Sequence, residues 1–288
     1  MAPKRKREQP SSAPPPLLSA ALSPPSVASA AHHFSTSHPY THLHLPHLFD
    51  PTHLSKVARE LRSLGRTFKE TDLFKVYQTG DLANLDPREP EHAAALPHTL
   101  ELREAIYSPA FRSFIEQVTG CPPLTAKTDL SCNTYKRGGH LLCHDDVIGT
   151  RCVSFILYLS WKGKEWREEL GGGLELYPVD ASGEGAPVVS HTPSAVVPPQ
   201  FASMAFFTVQ PGRSYHAVAE VLSSEPRLSI SGWFHAESPP VGAETAASLA
   251  QLQAKGTSSS TVAPRKLLPI GRSLLPEQEK QAKAHTHA

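Results

Sequence analysis

The sequence predicts an α+β fold, with helices first, an antiparallel sandwich or open barrel of strands after them, and disordered ends. Apolar residues recur at helical spacing up to Gly120. After Pro123 they alternate or run together with β-branched and aromatic residues, punctuated by Gly, Pro and Ser. A second observation sets the limits of the fold: of 28 prolines in 288 residues, eight lie in residues 1–44 and five in 236–288, among small and polar residues. Such stretches offer too little apolar surface to offset chain entropy. Residues 1–44 and 236–288 are therefore expected to be mostly disordered, and 45–235 to form one folded body.

Each element has a local reason. Asp50 can cap a helix with Pro51 at its first position, and Leu54, Val57, Leu61 and Leu64 form one apolar stripe before Gly65. Leu100, Leu102 and Ile106 suggest a second, less regular helix. Ser108 and Pro109 start a third, whose Phe111, Phe114, Ile115 and Val118 face inward up to Gly120. Strands are then expected at 129–135, 152–160, 173–177, 203–209 and 227–235. Gly171, Gly172 and Gly173 lack the sequence context of a phosphate loop and read as a tight turn.

Charge and cysteines exclude several classes. Of the net charge of +1 the two ends carry +3 and +2, which leaves the body at −4. Direct nucleic-acid binding by the body is not expected, because phosphate neutralisation needs clustered Lys and Arg. No apolar run approaches the roughly 18–20 residues that span a bilayer, so a soluble protein with no membrane partner is expected. The stretch Leu17 to Leu22, bounded by Pro16 and Pro24, is a poor secretory signal. Lys4, Arg5, Lys6 and Arg7 read as a nuclear import signal, with a solvated charged end or a transit peptide as the alternatives; nucleus and cytoplasm are the expected locations. Cys121, Cys132, Cys143 and Cys152 share no CxxC spacing, which disfavours structural zinc and a disulfide framework. Cys143 and Cys152 read as small core residues.

The chemistry concentrates in three places. His144 and Asp146 are two residues apart, so an extended segment or turn can bring both side chains to one ion, and His216 can complete the set. Two imidazoles and a carboxylate on one face of an octahedron are the ligand set of non-haem Fe(II) oxygenases, with three positions left open. Asp145 should point away. By itself His-x-Asp arises often by chance; what strengthens it is Arg227, which opens the strand Arg227 to Trp233. Period-two alternation puts Arg227, Ser229, Ser231 and Trp233 on one face and Leu228, Ile230 and Phe234 on the other. An arginine and a hydroxyl then point together into the barrel mouth. A buried guanidinium needs an anion, and its planar fork suits the distal carboxylate of a dicarboxylic co-substrate; the competing reading is a structural salt bridge.

The segments TYKRGGHLLCHDDVIGTRCVSFILYLS, GGGLELYPVD and SYHAVAEVLSSEPRLSISGWFH resemble the catalytic domain of the 2-oxoglutarate and Fe(II)-dependent prolyl hydroxylases of the Tpa/OGFOD group, which act on a small-ribosomal-subunit protein. More distantly they are similar to the hypoxia-inducible-factor prolyl hydroxylases. The resemblance, from about Asp72 to His235, implies a double-stranded β-helix, a jelly-roll or cupin-like core with supporting N-terminal helices. It implies that His144, Asp146 and His216 hold the metal and that Arg227 pairs with the distal carboxylate of 2-oxoglutarate. It further implies that Tyr158 helps hold that carboxylate, that Tyr135 lies near the metal-bound end of the co-substrate, and that Trp233 lines the pocket beside Ser229. For the two tyrosines the plain alternative is strand core.

The cofactors so implied are Fe(II), 2-oxoglutarate and O2, with ascorbate as reductant. The implied reaction is hydroxylation of a prolyl residue, at C3 by resemblance, coupled to decarboxylation of 2-oxoglutarate to succinate. The partner implied is a basic protein substrate, a small-subunit ribosomal protein. Alternatives are another protein or a small molecule as substrate, or a non-catalytic module that senses oxygen or 2-oxoglutarate. The group's second β-helix domain has no counterpart in residues 236–288.

Overall fold

The computed structural model describes residues 22–180 and 188–243. The Lys4 to Arg7 cluster and all but the first eight residues of the expected disordered tail lie outside them. In chain order the first half holds α1 (Pro24–Thr36), β1 (His42–Pro46), α2 (Pro51–Ser63), β2 (Thr67–Glu70), β3 (Phe74–Gln78), α3 (Pro90–Ala95), α4 (Pro97–Tyr107) and α5 (Pro109–Thr119). Strands follow: β4 (Leu124–Tyr135), β5 (His140–His144), β6 (Arg151–Tyr158), β7 (Leu174–Leu176), β8 (Val179–Asp180) and β9 (Val188–Val189). The last are β10 (Ala195–Val197), β11 (Ser203–Thr208), β12 (His216–Val218) and β13 (Arg227–Ala236). None of the helices among the described residues is long and apolar enough to cross a membrane.

The helices start and stop where local chemistry dictates. The Asp50 carboxylate accepts the N–H groups of Thr52 and His53 at 3.0 and 3.1 Å, satisfying two donors that the first turn of α2 leaves free. Leu54, Val57 and Leu61 are then fully buried, and each such side chain contributes roughly 1.5–3 kcal/mol by leaving water. In α5 the Ser108 hydroxyl accepts the Phe111 N–H at 3.1 Å, and Gly120 ends the helix in the left-handed region at φ 65°.

One sheet, antiparallel at every pairing, runs β1-β11-β6-β13-β4-β3-β5-β12-β7-β10 and curls into a nearly closed barrel, with β2 added beside β3. This is the expected jelly-roll-like α+β fold. Its outer face, from β4, β6, β11 and β13, packs on the helices: Leu228, Ile230 and Phe234 join Phe111, Phe114 and Leu54 in one core. A second core of Ile156, Tyr158, Leu174, Leu176, Val197 and Phe207 lies on the other face. The two faces of β13 divide as period-two alternation requires.

Residues 24–44, expected to be disordered with the rest of 1–44, instead form α1 and the start of β1. α1 is only weakly amphipathic, yet Ala30 and Phe34 are buried and Phe34 stacks on Phe206 with ring centroids 6.1 Å apart. β1 pairs with β11 along its length, from His42 opposite Phe207 to Pro46 opposite Ser203. Proline and alanine content alone misleads here, because two well-placed apolar side chains and an open strand edge order the segment. Cys152 is buried as expected, but Cys143 is exposed, because β5 turns it away from the barrel.

Candidate active site

The site is assembled by strand register. On β5 and β12, His144 and His216 stand directly opposite each other, with ring centroids 4.1 Å apart. The Nδ1 of His144 bonds the Leu142 carbonyl and the Nδ1 of His216 bonds the Ser214 carbonyl, both at 2.8 Å. Each ring therefore presents Nε2 inward. Asp146 lies two residues past the end of β5 in a left-handed backbone conformation, φ 63°, and so turns back toward both rings. Its Oδ1 is 3.3 Å from His144 Nε2 and its Oδ2 3.4 Å from His216 Nε2. His144, Asp146 and His216 are all buried, and one ligand atom from each lies within 4.8 Å of the others.

Burial opposes ionisation of Asp146, but His216 and His144 outweigh it and hold the carboxyl well below the usual carboxylate range. Burial likewise opposes protonation of His144, and the Asp146 carboxylate overcomes it and pushes the imidazole upward. Asp145 points away, as expected. Its carboxylate accepts the N–H groups of Val147 and Gly212 at 3.3 Å, and its carbonyl accepts the Ser214 hydroxyl at 3.0 Å. Asp145 thereby ties the segment bearing Asp146 to the loop leading into His216. From outside, the Tyr40 hydroxyl donates to the Tyr215 carbonyl at 3.2 Å, so the N-terminal segment also braces that loop.

β13 sits between β4 and β6, and its register gathers the remaining residues. Arg227 pairs with Tyr135 on β4, and Ser229 with Tyr158 on β6. The Arg227 guanidinium carbon lies 5.1 Å from the ring centres of both tyrosines. Its Nε donates to the Gly172 carbonyl at 2.8 Å and its Nη1 to Ser229 Oγ at 3.2 Å. Arg227 Nη2 and Tyr158 Oη are buried without a hydrogen-bond partner. Burial pushes the Tyr158 hydroxyl up to about 12, against the pull of Arg227, so it stays protonated as a donor. Two unmatched donors side by side, one cationic, suit a carboxylate acceptor. The donor set of two imidazoles and one carboxylate suits Fe(II), so the residues present fit both groups.

Every expected site residue is thus brought into one region. Trp233 does more than line it: its indole N–H donates to Asp146 Oδ2 at 2.9 Å, and the Arg151 guanidinium stacks 3.4 Å over its ring. Gly171, Gly172 and Gly173 do not form the expected tight turn but run antiparallel beside residues 219–221, where the Gly172 N–H donates to the Glu220 carbonyl at 3.2 Å; Gly171 and Gly172 are at positive φ, and a Cβ on Gly171 would sit 1.9 Å from the Glu220 carbonyl oxygen. Sequence reasoning missed Ser154, whose hydroxyl donates to Asp146 Oδ2 at 2.9 Å, and Ser214. The signal for Ser154 was present, a lone hydroxyl in the otherwise apolar run Val153 to Leu157.

The barrel, the His–Asp–His cluster and the arginine are the arrangement expected of a 2OG-Fe(II) oxygenase domain. Residues 130–235 match the model of the 2OG-Fe(II) oxygenase superfamily. The chain is 49% identical over 199 residues to the prolyl 3,4-dihydroxylase OGFOD1 of Ostreococcus tauri, covering 68% of this chain and 38% of that protein. It is 36% identical over 212 residues to the prolyl 3-hydroxylase OGFOD1 of Xenopus laevis, covering 72% of this chain and 37% of that protein. The chain therefore spans well under half the length of these curated relatives. Among solved structures, a prolyl 4-hydroxylase from Phytophthora capsici shares the fold with a TM-score of 0.51 at 17% identity, over 81% of this chain and 69% of its own.

Proposed function

We propose that this chain is an Fe(II)- and 2-oxoglutarate-dependent dioxygenase that hydroxylates a prolyl residue, at C3, of a basic small-subunit ribosomal protein. The observation that carries the reading is the buried His144–Asp146–His216 cluster in one barrel with the unmatched Arg227 and Tyr158 donors. The names of the relatives, prolyl 3-hydroxylase and prolyl 3,4-dihydroxylase, support the prolyl target and the ring position.

His144 Nε2, His216 Nε2 and an Asp146 oxygen hold the metal. Arg227 and Tyr158 take the distal carboxylate of 2-oxoglutarate, with Ser229 orienting the guanidinium and Tyr135 beside it. Iron held there would supply dioxygen activation, with one oxygen atom going to the prolyl carbon and the other to succinate as carbon dioxide leaves. Ascorbate serves as the reductant that keeps the metal divalent. The chain's own part is to orient the co-substrate and to keep water from the reacting atoms, which Leu174, Leu176 and Phe207 do by burial around the site.

The body's net −4 is a modest attraction for a basic partner. The basic Lys4 to Arg7 cluster supports nuclear as well as cytoplasmic location, which deletion of residues 1–9 from a fluorescently tagged chain tests. The enzymatic test is mass spectrometry of small-subunit ribosomal proteins after incubation with the full chain, Fe(II), ascorbate and 2-oxoglutarate. The expected result is one added oxygen on a proline and one succinate released per hydroxylation. Succinate formation only with a different substrate would reassign the target, and partner binding without turnover would make the chain a sensing module.

A further inference from the structure

Ser154 and Trp233 face each other across the β6–β13 ladder, and both donate to the same atom, Asp146 Oδ2, at 2.9 Å. Ser154 is buried within the otherwise apolar run Val153 to Leu157, and Trp233 is clamped by the Arg151 guanidinium stacked on its face. An ionised carboxylate oxygen has two lone-pair directions, and a hydroxyl and an indole N–H together use both. Oδ1 receives neither bond and lies 3.3 Å from His144 Nε2; Oδ2 lies 3.4 Å from His216 Nε2, so what distinguishes the two oxygens is the pair of donors on Oδ2 rather than their distance from the imidazoles.

We propose that Ser154 and Trp233 are positioning residues that pin Asp146 Oδ2, so that the carboxylate offers only Oδ1 to the metal. The inference rests on the metal-centre reading above. Its consequence is stoichiometric. A carboxylate bound through both oxygens takes two of six positions and leaves two beside the imidazoles; bound through one, it leaves three, the number that a chelating keto acid and dioxygen need. The same two bonds hold Asp146 in a left-handed conformation that costs a non-glycine residue roughly 1–3 kcal/mol. A register slip on either strand would break both bonds, because both donors come from one cross-strand pair.

Co(II) titration of the full chain tests this, since the affinity and the visible absorption of cobalt report the ligand set without turnover. Ser154→Ala and Trp233→Phe are each expected to weaken Co(II) binding about tenfold, and the double variant up to about 100-fold with an altered absorption band, the range typical of lost outer partners. Ser154→Thr, which keeps the hydroxyl, is expected to restore affinity and spectrum. Thermal melts of the metal-free proteins report folding; if Ser154→Ala unfolds, Trp233→Phe, which keeps an aromatic ring, carries the test. A folded double variant with wild-type affinity and spectrum would overturn the inference while leaving the metal centre intact. If wild-type chain binds Co(II) no better than Asp146→Ala, the metal-centre reading falls and this inference with it.

Discussion

Arg227 lies with its guanidinium carbon 5.1 Å from the centre of the Tyr158 ring, and one nitrogen of the first and the hydroxyl of the second are both buried without a partner. Buried donors are nearly always satisfied, so a pair of them side by side marks where an acceptor belongs.

Arg227→Ala is accordingly expected to raise the 2-oxoglutarate requirement at least tenfold, since a hydrogen bond to a charged group contributes about 1.5–3 kcal/mol. Succinate release against co-substrate concentration measures it, and Mn(II) affinity should stay at the wild-type value. An unchanged requirement removes Arg227 from the co-substrate site.

Gly172→Ala should produce a weaker form of the same defect. The residue has φ 74°, and a Cβ there would stand 3.0 Å from Arg227 Cδ while its carbonyl holds Arg227 Nε. The side chain must shift or the backbone must strain, so the expected change is a higher apparent KM for 2-oxoglutarate with metal binding spared.

Asp50→Ala tests the cap of α2 and its pH dependence. Hydrogen bonds from Thr52 and His53 hold the Asp50 carboxyl below its ordinary value, so its contribution is present above the unfolded carboxylate value and is lost as pH falls through the folded one. At neutral pH the substitution should cost about 1 kcal/mol, a melting shift of about 2–4 °C. In acid the two melting curves should converge, and a gap that widens there would refute the cap assignment.

Phe34→Ala asks whether the N-terminal helix belongs to the folded unit. Its ring is buried against Phe206, and truncation of a buried phenylalanine costs about 3–5 kcal/mol. Denaturant unfolding that leaves the midpoint unchanged would mean that α1 contributes no stability.

Much of this could be read from order along the chain. The caps at Asp50 and Ser108 and the stripes behind them are local patterns, and hydrogen bonds within four residues produced them as expected. Alternation along Arg227 to Phe234 likewise separated the site face from the core face, because a strand's side chains have a period of two whatever surrounds it. Spacing and alternation singled out His144, Asp146, His216 and Arg227, and the resemblance of three segments implied their roles. Residues 24–46 were illegible for a physical reason: their order comes from β11 and α5, distant in sequence, rather than from their own composition.

The sequence by itself determined which residue types are available, namely two imidazoles, a carboxylate, an arginine and the strands that carry them. Only tertiary structure decided how they meet. Antiparallel register set His144 opposite His216, a left-handed backbone conformation brought Asp146 back to both, and the Ser154–Trp233 pair brought two donors to one oxygen of that carboxylate. Register is a property of two strands together, fixed by what their faces bury, and no single segment contains it.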